Sequence, residues 1–209
     1  MTTPSKAALT EACEALSKRD PALERAYSDV GLPNWRAAEP AYRSLARSVV
    51  YQQISTKAAG AIWDRVQSAY PDVEPRPLFE ATEDNLRALG LSRPKIRHLK
   101  SIAEAIVSDR LNFDRLCSVD GDSARAELIA VKGIGPWTAE LFCLYALGDM
   151  NAFPTADLGL MESYRQLRGD AERLDRKGFE AAGDAWRPWR GCAAHLLWDW
   201  LNLQRSRMS

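Results

Sequence analysis

The sequence predicts an all-α protein, and three observations carry that prediction. Apolar residues recur at helical spacing, as in Leu45, Ala46, Val49 and Val50, and again in Ile96, Leu99, Ile102, Ala103 and Ile106. Between such stretches stand helix punctuators, with prolines at Pro21, Pro94 and Pro136 and a serine or threonine ready to cap at Ser55 and Thr155. At 209 residues, 46% of them hydrophobic, the chain can bury a proper core, as one domain or as two closely packed lobes.

In chain order, residues 5 to 30 read as one or two helices broken at Asp20-Pro21 and closed by Gly31-Leu32-Pro33. Tyr42 to Gln53 forms a helix with one buried face. Ser55 caps a following helix, Thr56 to Ala69, so that Gln52 and Gln53 sit at a helix–helix corner beside Tyr51. Pro71 to Pro77 reads as a loop, with helices from Leu78 to Leu89 and from Pro94 to Ser108. His98, between Arg97 and Lys100, reads as an exposed helix residue, since no carboxylate or nucleophile pattern surrounds it. Asp114 to Leu116 and Ser123 to Val131 lead into a turn, and Pro136 to Leu147 forms the helix beyond it. Asp157 falls in the first turn of another helix, with Thr155 as its N-cap. The last stretch carries Trp186, Trp189 and Trp198, dense enough to read as core, with Arg190 in an ion pair or on a phosphate and His195 packed on the same helix. There is no internal repeat or low-complexity segment.

Composition excludes several classes. No apolar run approaches a membrane span, and the charged first twenty residues do not resemble a signal peptide, so an intracellular protein without a targeting signal is expected. Cys13, Cys117, Cys143 and Cys192 are scattered, with no CxxC pair and no histidine at metal-ligand spacing, which points to reduced thiols and no side-chain metal site. Lys and Arg total 28 against 28 Asp and Glu. That balance argues against a broad basic footprint, though a local positive face suffices for a partner gripped at a few phosphates.

The chemically informative stretch runs from Leu128 to Leu160. In Lys132-Gly133-Ile134-Gly135 two glycines permit positive φ and leave backbone N–H groups uncovered, and Pro136 suits the first position of the next helix. Bare amides at the positive end of a helix make a site for a phosphate oxygen. Taken alone the turn is equally an ordinary corner, and Asp157 equally a residue placed there for the helix dipole.

The run LIAVKGIGPWTAELF resembles the helix-hairpin-helix motif, and FPTADLGL the Gly/Pro-rich loop with its aspartate, of the helix-hairpin-helix-GPD superfamily of DNA glycosylases. Asp157 stands 22 residues beyond Gly135, room for one helix and a turn. With Gln52-Gln53-Ile54-Ser55 upstream and Trp186-Arg187-Pro188-Trp189-Arg190 downstream, the chain is similar to the 3-methyladenine DNA glycosylase II branch over roughly residues 40 to 204. The resemblance implies two helical lobes with the active site in the cleft between them: about 40–150 as a central lobe, and about 1–39 packed with 151–209 as the second.

It also implies roles. Asp157 is the essential carboxylate, while Trp137 and Trp198 wall a base pocket bordered by Leu141 and Tyr51. Gln53 plugs the gap left by a flipped nucleotide. Gln52, Ser55, Lys132, Gly133, Gly135 and Thr138 belong to the DNA-binding surface. Relatives that cut the strand as lyases carry a lysine where Trp137 stands here, so a monofunctional hydrolase leaving an abasic site is implied. No cofactor is required. A structural monovalent cation is implied at the carbonyls of Ile129, Val131 and Ile134, and no iron–sulfur cluster, because Cys192 alone lies beyond the catalytic loop. The expected partner is double-stranded DNA with damaged bases, met by a monomer in the cytoplasm or nucleoid. The rivals are a non-catalytic damage-binding module of the same fold, a bifunctional lyase, and a helical protein-interaction domain.

Overall fold

The computed structural model describes residues 3–207. Among them are thirteen helices and no strand. The chain divides into two compact units, Met1–Ala37 with Gly148–Ser209, and Ala38–Leu147.

The first unit contains α1 (Lys6–Arg19), α2 (Pro21–Val30), α11 (Leu158–Arg168), α12 (Arg176–Asp184) and α13 (Arg190–Arg207). Asp20 separates α1 from α2: its extended backbone ends one helix, its carboxylate accepts the Ala22 N–H at 2.8 Å, and Pro21 opens the next. The same carboxylate accepts the Tyr164 hydroxyl and the Trp186 indole N–H, both at 2.9 Å, so it ties α2 to α11 and to the turn before α13. Helices α2 and α11 pack on α13, where Leu16, Leu23, Leu160, Leu196 and Leu197 are fully buried. Trp186, also fully buried, meets Phe153, Tyr164 and Phe179 edge-on, as aromatic rings prefer.

The second unit contains α3 (Tyr42–Tyr51), α4 (Thr56–Ala69), α5 (Pro75–Glu80), α6 (Glu83–Ala88), α7 (Arg93–Val107), α8 (Phe113–Ser118), α9 (Gly121–Ile129) and α10 (Pro136–Tyr145). Helix α7 contacts α3, α5 and α6 through the stripe Ile96, Leu99, Ile102 and Ala103, each at most 3% exposed. Helix α3 also meets α4 and α10, and α10 meets α9 across the hairpin. No described helix is long and apolar enough to cross a membrane.

Three sequence expectations are corrected. The stretch read as a loop to Pro77 and a helix from Leu78 to Leu89 is instead two short helices, α5 and α6. Pro75 opens the first at a position that needs no N–H, and Thr82 opens the second, its hydroxyl accepting the Asn85 N–H at 3.2 Å. His98 is half-buried rather than exposed. Thr155 is not the N-cap before Asp157; Asp157 itself takes that place in α11.

Gly183, at the end of α12, makes the tightest of the approaches: a Cβ there would lie 2.4 Å from Cε1 of Phe153, which is 1% exposed and held between Phe179 and Trp186. Gly183→Ala gains helix propensity yet overpacks a ring that cannot move, so a net loss of about 1–3 kcal/mol is expected. The measurement is the urea midpoint by circular dichroism, and a more stable variant contradicts the packing described.

Candidate functional site

In the second unit the site begins at the α3–α4 corner. Lys95 on α7 donates to the Val50 carbonyl at 2.7 Å, placing a cation on the last turn of α3 where carbonyls lack helical partners. Burial lowers the Lys95 pKa from the usual lysine range. Gln52 and Thr138, both assigned to the DNA surface, bond to each other: Gln52 Nε2 donates to Thr138 Oγ1 at 2.8 Å, and Thr138 is 1% exposed. That bond is a brace between the corner and the first turn of α10. Ser55 caps α4, its hydroxyl accepting the Ala58 N–H at 3.3 Å.

Gln53 is exposed and adopts φ 58°. A non-glycine side chain in the left-handed region costs about 1–2 kcal/mol, and such strain gathers at functional positions. Ile54 beside it is 39% exposed.

A pocket of about 200 Å³ opens between α3 and α10, lined by Ala38, Ser44, Arg47, Ser48, Tyr51, Trp137, Leu141, Phe142, Tyr145 and Ala146. Three residues assigned to the base pocket, Trp137, Leu141 and Tyr51, therefore share one cavity. Arg47 was not anticipated, yet its guanidinium lies 4.4 Å from the Tyr51 ring centroid, a cation–π contact legible from their i, i+4 spacing on α3.

The hairpin joins α9 to α10. Asp120 caps α9 by accepting the Asp122 and Ser123 N–H groups at 3.0 Å, and Arg125 on α9 pairs with Glu140 on α10 at 3.5 Å. Val131 and Ile134 are buried and pin the turn, whereas Lys132 and Ile129 face solvent. The two glycines differ. Gly133 has φ 104°, and a Cβ there would stand 2.8 Å from His98 Cβ and 2.9 Å from His98 Cα, so the turn lies against α7 itself. Gly135 has φ −87° with nothing near a Cβ, which corrects the expectation that both glycines serve positive φ. As N-cap of α10 it supplies no side-chain hydrogen bond, and Pro136 follows at the first position.

In the first unit Asp157 is the N-cap of α11. Its Oδ1 accepts the Leu160 N–H at 3.0 Å and the Trp198 indole N–H at 3.3 Å. A Cβ on Gly159 would lie 3.1 Å from that oxygen and 3.9 Å from Trp198 Cδ1, so a glycine in the first turn makes room for the pair. The approach loop is anchored at Phe153 and Pro154, both buried, and by Arg190, whose Nε donates to the Asn151 carbonyl and to its Oδ1 at 3.0 and 2.9 Å. Arg190 is thus buried structural scaffold, 7% exposed. Trp198, assigned as a pocket wall, is also a donor to the carboxylate.

His195 is fully buried, its Nδ1 2.8 Å from the Gly191 carbonyl and its Nε2 accepting the Arg36 backbone N–H at 3.2 Å, the pattern of a neutral ring. Burial pushes its pKa down to about 4, the Gly191 bond opposing and the Arg36 charge assisting. Three of the four cysteines are buried, and Cys13 and Cys192 place their sulfurs 3.6 Å apart.

Residues 46–188 match the family model of the HhH-GPD superfamily base excision DNA repair proteins. The chain is 34% identical over 165 residues to a probable bifunctional transcriptional activator/DNA repair enzyme AlkA of Mycobacterium tuberculosis, covering 74% of this chain and 32% of that protein. It therefore spans about a third of the mycobacterial relative's length. It is 31% identical over 161 residues to a DNA-3-methyladenine glycosylase of Schizosaccharomyces pombe, covering 75% of this chain and 71% of the relative. The solved structure of a 3-methyladenine DNA glycosylase from S. pombe, in complex with abasic DNA, superposes with a TM-score of 0.82 at 30% identity, covering 90% of this chain and 95% of that one.

Two outcomes are expected. Gly133→Ala costs about 1–3 kcal/mol, because its φ and the His98 backbone both oppose a methyl group, whereas Gly135→Ala stays within about 0.5 kcal/mol; denaturant titration of both decides. For His195, a folded-state pKa of about 4 against 6.5 in the unfolded chain means that the unfolded state binds the extra proton between those values. Stability is retained above pH 6.5 and falls by roughly 3 kcal/mol as the pH drops to 4. A difference curve of unfolding free energy against pH, wild type minus His195→Phe, should slope through that window, and a flat curve contradicts the assignment.

Proposed function

Because the chain belongs to the HhH-GPD superfamily of base excision DNA repair proteins, we propose that it is a DNA glycosylase. It hydrolyses the N-glycosidic bond of alkylated purines of the 3-methyladenine and 7-methylguanine type and leaves an abasic site. The observation that carries this reading is the Asp157 carboxylate, fixed on one oxygen by the Leu160 amide and the Trp198 indole.

Alkylation at N3 or N7 makes the purine a cation, already a good leaving group, so no second carboxyl is needed to protonate it, unlike ordinary glycoside hydrolysis. Asp157 stabilises the positive charge that grows on the sugar as the base departs, and directs a water to the anomeric carbon. Double-stranded DNA is bent and the damaged nucleotide extruded. The electron-rich indole faces of Trp137 and Trp198 suit a cationic base, and Gln53, already exposed and strained at its corner, fills the vacancy in the duplex.

The turn Lys132-Gly133-Ile134-Gly135 grips phosphate through the uncapped amides at the start of α10, with Lys132 as the exposed charge. Grip through amides reconciles a formal net charge of zero with a polyanionic partner. The hairpin carbonyls are the oxygen donors proposed for a monovalent cation. Ile129 ends α9, where carbonyls lack helical partners, and the Val131 carbonyl accepts the Ile134 N–H on one of its two lone pairs. With Ile134 they would hold the ion, which supplies positive charge toward a phosphate. Trp137 cannot form a Schiff base, so the strand stays uncut. The enzyme acts as a monomer in the cytoplasm or nucleoid and needs no redox or organic cofactor.

The experiment is release of free methylated purines from alkylated duplex DNA by wild type and by Asp157→Asn, with helicity checked by circular dichroism. The amide keeps an oxygen for the Leu160 and Trp198 donors, so folding is retained while release falls about a hundredfold or more. Full release by the folded variant removes Asp157 from the chemistry. A folded wild type that binds DNA and releases nothing is a binding module instead.

A further inference from the structure

The segment before α3 carries three residues that pack on α13 beside Asp157's partner, Trp198. The Trp35 ring stacks on His195 with centroids 4.2 Å apart and planes 18° from parallel. His195 is held at both nitrogens, by the Gly191 carbonyl and the Arg36 backbone N–H, and meets Trp198 edge-on at 5.8 Å and 87°. Arg36 closes the arrangement: its guanidinium lies 5.5 Å from the Trp198 ring centroid and is anchored on Asp199 at 3.1 Å, and Asp199 also accepts the Asn34 N–H at 2.7 Å. Trp198 then donates to Asp157 Oδ1.

From this chain of contacts we infer that Trp35 and His195 are positioning residues for Asp157, acting through Trp198. The inference rests on Asp157 being the catalytic carboxylate. An indole N–H aligned on one carboxylate oxygen sets the plane of that carboxylate only if the indole itself cannot swing. Its ring meets His195 at a right angle, and Trp35 covers His195 in turn. One observation speaks for position rather than bulk packing. Gly159 leaves Trp198 Cδ1 and Asp157 Oδ1 room to approach, so the first turn of α11 is shaped around the same bond.

The brace lies outside the chemistry, so its loss should leave DNA affinity intact and slow the bond-breaking step. The test is single-turnover release of methylated purines at saturating enzyme, with DNA affinity and melting temperature measured alongside. Trp35→Ala should lower the rate roughly tenfold with affinity within about twofold. Trp35→Phe should restore it, because the stack returns. In a Trp198→Phe background, where the indole donor is gone, Trp35→Ala should have no further effect on the rate. An equal loss in both backgrounds, or an unchanged rate in Trp35→Ala, overturns the inference.

A second readout separates this inference from the assignment of function. The Trp198 indole N–H resonance in a ¹H–¹⁵N spectrum should shift in Asp157→Asn and again in Trp35→Ala. A Trp198 signal indifferent to Trp35 overturns the brace whether or not the wild type is active. A wild type that releases no methylated purine, yet shows both shifts, leaves the brace standing and overturns only the activity.

Discussion

One carboxylate oxygen governs the architecture around the site. Asp157 Oδ1 takes the Leu160 N–H in the first turn of α11 and the indole of Trp198 at once, so the start of one helix and a side chain of another are set by a single atom. Much of the first unit serves that arrangement. Phe153 locks the approaching loop into the aromatic cluster around Trp186, Arg190 holds Asn151, and Gly159 withholds a side chain where one would crowd the oxygen. Asp20 performs a similar double duty farther away, capping α2 while accepting from Tyr164 and Trp186. In both cases an acidic residue that composition alone would place on the surface is given two kinds of donor, and so tolerates a half-buried position.

The second unit relies on a different constraint, the closeness of backbone to backbone. The hairpin turn rests on the Cα of His98, and only a residue without Cβ, free to take φ 104°, permits it. From the same helix Lys95 reaches the end of α3, and Gln52 clamps the corner to Thr138. Helix α7 thus steadies both the hairpin and the glutamine corner, with Gln53 among the exposed residues of the corner and Lys132 among those of the hairpin.

Much of this was legible in the sequence, and the remainder has identifiable causes. Apolar stripes at helical spacing, the break at Asp20-Pro21 and the cap at Ser55 are local signals, and the structure follows them. The split between α5 and α6 turns on Thr82, whose capping competes with continued helix over too few residues for periodicity to decide. Thr155 reads as the cap because threonine caps well, but aspartate caps well too, and Asp157 takes the place beside a buried Pro154 and a bond from Trp198, neither of them a local property. His98 misleads for the opposite reason, since its charged neighbours imply solvent while a turn more than thirty residues downstream covers it. Trp35 gives no signal at all, because its stacking partner lies 160 positions away.

The division of the chain has a consequence for its birth on the ribosome. Helices α1 and α2 leave the exit tunnel before the other helices described, yet α11 and α13, on which they pack, arrive more than a hundred residues later. At typical elongation rates that wait is on the order of ten seconds, during which an apolar face stands uncovered and open to chaperones. The intervening unit, with its hairpin and corner, draws on a continuous stretch and can close meanwhile. The surroundings of Asp157, assembled from segments on either side of that unit, therefore form after it.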